Sequence, residues 1–255
     1  MYKVRETLEN VYCVNTANYY NEAVLANNKN IVLLSGGIDS QALVSYLKHK
    51  NYKYETIFAD YEFNYHDGEF VYDPTHVLHL DLDTLYFDEK IHLKYFEEYK
   101  CTSPQYAIHL HILDYVRKNF NGYNILMPGT PELSLKKRLD KIINNWVNYN
   151  GLVYKRYKKK NKLDNFYPYF FNEFPIAKKI NSCAIHQKNN CNLYTKKFLL
   201  YESLGLDTIQ QDLSYTGFEH YKIYLKDKGI IYDANLRKPI DIQKPVLYFN
   251  FLERI

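Results

Sequence analysis

The run Ile31-Val32-Leu33-Leu34-Ser35-Gly36-Gly37-Ile38-Asp39-Ser40 constrains this chain more than any other stretch. Consecutive aliphatic residues without alternation read as a strand buried on both faces. Gly36 and Gly37 permit a tight turn and let backbone N–H groups approach an anion with no side chain in the way. Asp39 or Ser40 can cap the helix that follows, whose apolar positions Leu43, Val44 and Leu47 keep helical spacing. Orphan amides and the positive dipole end make such a helix start a phosphate site. The bland alternative is an ordinary strand-to-helix turn. A Walker-type loop is the nearest functional competitor, but Gly-Lys-Ser/Thr is absent, which disfavours γ-phosphoryl transfer.

Downstream, strand and helix patterns alternate. Tyr54 to Ala59 reads as a second strand ending at Asp60-Tyr61, and Thr75 to Leu80 as a third. Ser103-Pro104 opens a helix predicted to reach Phe120, with Ala107, Ile108, Leu110, Leu113 and Val116 on its apolar face. Asn124 to Met127 reads as a fourth strand, running into Pro128-Gly129-Thr130-Pro131-Glu132. Such alternation predicts an α/β, doubly wound parallel sheet, with ligands at the carboxyl ends of the strands near the topological switch point. Ser35, Asp60 and Gly129-Thr130 then share one rim. The expected organisation is an N-terminal arm over 1–30 and a nucleotide-binding core over 31–132. A basic insertion or loop over 133–165 and a mostly helical C-terminal region over 166–255 complete it.

Ser35-Gly36-Gly37-Ile38-Asp39-Ser40 resembles, residue for residue, the Ser-Gly-Gly-x-Asp-Ser signature of the PP-loop ATP pyrophosphatases. The resemblance implies a Rossmann-like adenine nucleotide α-hydrolase fold that splits ATP between the α- and β-phosphates. Pyrophosphate is released and AMP is left on a substrate oxygen. The layout most resembles the 7-cyano-7-deazaguanine synthase branch, which converts a 7-deazaguanine carboxylate to a nitrile with ammonia and feeds queuosine-type modification. Asp60-Tyr61 stands where that branch carries Asp-Tyr, and Gly129 matches the glycine after strand four, with Glu132 as its nearest acid. The following Glu62-Phe63-Asn64-Tyr65 departs from the family's Gly-Gln-Arg-His, and only Pro104 survives of its Pro-Gly-Arg-Asn. The resemblance implies that the amides of Gly36, Gly37 and Ile38, with the Ser35 and Ser40 hydroxyls, hold the departing pyrophosphate. Asp39 would bind Mg²⁺, Lys178 after Phe174-Pro175 would contact phosphate, and Thr130 with the backbone near Asp60 would line the adenine pocket. Asp39, Ser40 and Lys178 are the catalytic candidates. Asparagine-synthetase-like amide formation and a non-catalytic nucleotide-binding protein are the competing readings.

The family's zinc tail is incomplete. Ser182-Cys183, Cys191 and the segment Phe198 to Asp207 resemble it, but Tyr194 and Lys197 stand where two further cysteines belong. Structural zinc needs four thiolate or imidazole ligands. The site therefore reads as lost, with Cys183 and Cys191 as remnants. Cys183, His186 and Cys191 with His220 or Cys101 form the alternative ligand set. His109 and His111 are two apart in a helix and face different directions, while His76 and His79 flank a strand and read as structural. Cys101 reads as an inert loop thiol; the alternative is a reactive one, since it precedes a helix start, which would lower a thiol's pKa. No chain-initial nucleophilic cysteine marks a glutaminase, so ammonia would be free or delivered by a partner.

Among 255 residues, four scattered cysteines exclude a disulfide framework, and no apolar run approaches membrane-spanning length. With no signal-peptide pattern, a soluble cytoplasmic protein is expected, in the host cytoplasm if the gene is a phage's. The 28 tyrosines accompany heavy use of Asn, Lys and Ile, as in an AT-rich genome; stacking on bases is the sharper alternative. The formal charge of +4 selects no partner. Lys155-Arg156-Tyr157-Lys158-Lys159-Lys160 reads as the heart of a solvated insertion or mobile loop, with nucleic-acid or polyphosphate contact as the alternative. A homodimer is compatible with the sequence.

Overall fold

An uninterrupted apolar strand needs cover on both faces, and Ile31–Leu34 receives it. The computed structural model describes residues 3–7, 10–13, 22–62, 72–101, 103–129, 133–138, 141–147, 151–168, 170, 198–199, 201–202, 204–209, 218–233 and 238–241. After β1 (Lys3–Thr7), β2 (Asn10–Cys13) and α1 (Glu22–Asn27), the apolar run forms β3 (Asn30–Leu34). It lies at the centre of a five-stranded sheet, between β4 (Tyr54–Asp60) and β6 (Asn124–Leu126). Outside these lie β5 (His76–His79) and β9 (Phe166–Tyr167), giving the order β5-β4-β3-β6-β9. Every pairing in this sheet is parallel. Chain order therefore reverses between β3 and β6, which makes that junction the switch point.

Residue alternation assigns the two layers. Ile31, Ile57, Ala59, Ile125, Met127 and Phe166 pack with α3 (Ile91–Tyr99), α4 (Pro104–Asn119) and α5 (Gly151–Asn161). Val32, Leu34, Leu126 and Tyr167 pack instead with Leu25 of α1, with α2 (Ile38–His49), and with Tyr201 and Leu206. The predicted α/β doubly wound sheet is thus present as a Rossmann-like arrangement. Strands two to four lie where alternation placed them, and the helix opened by Ser103-Pro104 runs to Asn119. Ser103 occupies the cap position, although its hydroxyl makes no capping bond there.

The basic segment is not a loop. Within α5, Val153, Tyr154 and Tyr157 are buried in the core while Lys155, Arg156, Lys159 and Lys160 are exposed. It is an amphipathic crossover helix between β6 and β9, and its charges are the solvated face. Ahead of it, β7 (Leu133–Arg138) and β8 (Lys141–Val147) form a hairpin that joins the two N-terminal strands in an antiparallel sheet ordered β2-β1-β8-β7. Residues 1–30, expected as an arm, therefore supply strands to a second sheet. The region 166–255, expected as mostly helical, holds β9 and a hairpin of β10 (Ile230–Asp233) and β11 (Lys238–Asp241) beside α6 (Phe218–Asp227). Among the described residues no helix is long and apolar enough to cross a membrane.

A polar cluster ties the amino ends of β4, β5 and β6. His76 Nε2 lies 2.7 Å from Glu55 Oε2, and the Tyr123 hydroxyl donates to Glu55 Oε1 at 2.7 Å. His76 first, then Tyr123, hold the Glu55 carboxyl below its ordinary value of 4.5. A depressed folded-state pKa contributes stability above the unfolded value and loses it as the pH falls through the folded one. Both partners are about a third exposed, so the contribution stays below about 1 kcal/mol. Glu55→Gln is expected to lower the melting temperature slightly at pH 7 and to converge on wild type in acid below 4.5. Melting curves that stay parallel over that range would show that Glu55 carries no such linkage.

Candidate functional site

The carboxyl end of β3 lies at the switch point, and three predicted site positions meet on that rim. Ser35 follows β3 directly, Asp60 ends β4, and Gly129 follows β6, with Val32 registered on Leu126 and Leu34 on Phe58. Gly129 has φ 142°, a region that only glycine enters readily. Thr130 and Lys178 lie outside the described residues, as do Glu132, Cys183, His186 and Cys191.

The two loop glycines do different things. Gly36 is buried and has φ 74°, so the turn itself calls for glycine. Gly37 has φ −69° and ψ 158°, extended backbone that any residue adopts. A Cβ on Gly37 would meet only the Ser35 Oγ, at 3.4 Å, and otherwise open space among the described residues. Neither its dihedrals nor a described neighbour therefore demands glycine at 37.

Gly37, not Asp39 or Ser40, caps α2, and no side chain caps the helix there. Asp39 sits in the first turn, where the dipole favours a carboxylate. Ser40 is fully buried, and its hydroxyl donates to the Gly37 carbonyl at 2.7 Å. The exposed Ser35 donates to Ser40 Oγ at 3.3 Å and accepts the Gly37 N–H at 3.4 Å. The Ser40 and Gln41 N–H groups bond to the Gly37 carbonyl at 3.0 and 3.2 Å. The loop is thus internally braced around an exposed serine, an extended glycine and a half-buried acid.

Sequence reasoning missed the far wall of this site. Tyr201 donates to Asp39 Oδ1 at 2.6 Å. Gln41 Nε2 donates to the Gly36 carbonyl and Gln41 Oε1 accepts the Ile209 N–H, each at 2.8 Å. These pairs are more than 160 residues apart, except within the loop, and no local pattern could have signalled them.

The surroundings of the other candidates are as follows. The Asp60 carboxylate lies 2.9 Å from His79 Nδ1 in an exposed pair, and Tyr61 is kept neutral by burial beside it. Burial pushes the Cys101 thiol up to about 12, in line with the inert reading and against the alternative of a thiol lowered by a helix start. It donates to the Ser103 carbonyl at 3.3 Å and is an inert core thiol. His109 Nδ1 lies 2.6 Å from the Tyr154 hydroxyl, and burial pulls this imidazole down to about 4. His111 is lowered too, by burial first, with the charges of Glu89, Lys94 and Asp114 acting on it as well. Among the described residues no group of three His, Cys, Asp or Glu side chains could hold a metal ion. No protein-family model matches the chain, and no curated protein sequence matches it.

Proposed function

We propose that this chain is an ATP-dependent adenylating ligase of the PP-loop type, acting on a 7-deazaguanine carboxylate and using ammonia to form the nitrile. The observation that carries the reading is Gly37: the Ser35–Ser40 signature sits at the switch point and keeps a glycine that its own backbone does not need. A glycine kept free of fold constraints fits a loop that a phosphate must approach closely. The start of α2, where no side chain bonds the first amides as a cap, and the first-turn Asp39 fit the same ligand.

In this reading the amides of Gly36, Gly37 and Ile38 and the Ser35 hydroxyl bind the β- and γ-phosphates. Ser40 supports the loop from within, through its bond to Gly37. Asp39 binds Mg²⁺, which when present neutralises charge on the departing pyrophosphate. Lys178 assists at the phosphates, while Thr130, Gly129 and the backbone near Asp60 hold the adenosine. The substrate carboxylate oxygen attacks the α-phosphorus; the bond to the bridging oxygen breaks and pyrophosphate leaves with its electron pair. No enzyme nucleophile is required, and the rate derives from in-line positioning and electrostatics. The Asp60-Tyr61 and Gly129 matches support the deazaguanine branch over other amide-forming relatives.

Product analysis tests this directly, with Mg·ATP and ammonia plus either 7-carboxy-7-deazaguanine or aspartate. AMP and pyrophosphate with the deazaguanine alone are expected. The same products with aspartate alone would move the chain to the asparagine-forming branch, and ADP with phosphate would overturn the mechanism. Asp39→Ala is expected to lower turnover by about a hundredfold or more while the protein stays folded. Full turnover in that variant would remove the loop from the chemistry.

A further inference from the structure

The segment carrying Tyr201, Leu206, Asp207 and Ile209 is strapped along α2, the helix that the loop begins. Tyr201 and Leu206 are buried in the same cluster as Leu34 and Ile38. At the far end of the strap the Asp207 N–H donates to Ser45 Oγ at 2.8 Å, and Asp207 Oδ2 lies 3.4 Å from His49 Nε2. At the near end the Tyr201 hydroxyl reaches Asp39.

Tyr201 is fully buried, and packing alone would be served equally by phenylalanine. Its hydroxyl is instead spent on one oxygen of a carboxylate in the first turn of α2, at 2.6 Å, a short charge-assisted bond. The bond ties Oδ1 to a side chain that is itself held in the core. We infer that Tyr201 is a positioning residue for Asp39, fixing Oδ1 so that the carboxylate is preset to receive a divalent cation carried by the nucleotide. This rests on the ATP-binding reading of the loop. Tyr201 then belongs to the nucleotide site, although it lies 162 residues from Asp39 in sequence.

The test uses the full chain, equilibrium dialysis of labelled ATP, and a MgCl₂ titration. Tyr201→Phe is expected to raise the half-saturating Mg²⁺ concentration about tenfold, the worth of one hydrogen bond to a charged group, with metal-free ATP binding unchanged. Asp207→Asn loosens the strap without touching Asp39 and is expected to titrate like wild type. If Tyr201→Phe titrates like wild type, or Asp207→Asn shifts as far, the positioning role is overturned while the site reading stands. A wild-type chain that binds no Mg·ATP overturns both. Should Tyr201→Phe not fold, Asp39→Asn and Asp39→Ala decide the matter by thermal melting. Alanine is the better helix former, so the asparagine variant melts higher only if the phenol needs an acceptor at 39; equal melting temperatures would overturn the inference.

Discussion

Gly37→Ala is expected to fold and melt close to wild type while binding Mg·ATP about ten- to a hundredfold more weakly. The first half follows from geometry already occupied: φ −69° and ψ 158° suit alanine, and the added methyl meets Ser35 Oγ at an ordinary 3.4 Å. Replacing glycine at a compatible position restricts the unfolded chain and stabilises by about 0.4–1 kcal/mol. Alanine is a poorer helix cap by a similar amount, so the two effects offset. The second half follows from what the methyl would enter, a side of the loop that is open among the described residues and is proposed to close around phosphate. Gly36→Ala is the counterpart with opposite character. At φ 74° an alanine is strained by about 1–2 kcal/mol, and a chain of this size loses roughly 2–4 °C in melting temperature per kcal/mol. Thermal melts and ATP dialysis on the two variants separate the glycine that serves the fold from the glycine that serves the ligand. Unimpaired ATP binding by Gly37→Ala would remove the observation on which the functional reading stands.

The same division explains what the sequence could and could not reveal. The central strand was legible because Ile31 to Leu34 are apolar on both faces, and both faces are covered. The rim shared by Ser35, Asp60 and Gly129 was legible because parallel strands put successive carboxyl ends together. β9 was not: Phe166-Tyr167 is too short to show any period, and it becomes a strand only by registering on Ile125 and Leu126. α5 was hidden by its own composition. Its buried Val153, Tyr154 and Tyr157 sit among lysines, so a charge run masked an amphipathic helix. The hairpin of β7 and β8 was obscured the same way, with Lys136-Lys137-Arg138 and Asn144-Asn145 diluting the alternation. The capping expectation at Asp39 and Ser40 failed for a different reason. An acidic or hydroxyl residue near a helix start usually caps it, but here glycine takes the cap and leaves those side chains inside the first turn. Gln41, Tyr201 and Asp207 illustrate the general limit. Their importance lies in long-range pairing, which only the folded chain displays.

At the opposite end of β3 the residues answer to the fold alone, and Asn30→Ala is expected to destabilise the protein by about 2–4 kcal/mol, leaving the loop chemistry unchanged. Asn30 and Asn124 are buried polar side chains at the amino ends of the two central strands, each at most 1% exposed. The Asn30 amide donates to the carbonyls of Leu25 at 2.9 Å and Lys53 at 2.7 Å, and its Oδ1 accepts from Asn124 at 2.9 Å. The Asn124 amide also reaches the Val24 carbonyl at 3.3 Å. One side chain thus ties α1 to the residue before β4 and to β6. Removing it leaves the Leu25 and Lys53 carbonyls and one bond of the Asn124 amide without this partner, each group costing about 1–3 kcal/mol when desolvated, with partial relief from relaxation. The loss should be visible as a fall of several degrees in melting temperature and a lower denaturant midpoint with unchanged slope. Because Asn30 lies a whole strand away from Ser35, the variant's ATP affinity below its melting range should match wild type. Loss of ATP affinity in a fully folded Asn30→Ala chain would mean that β3 transmits strain along its length, and that the fold end and the ligand end are not independent.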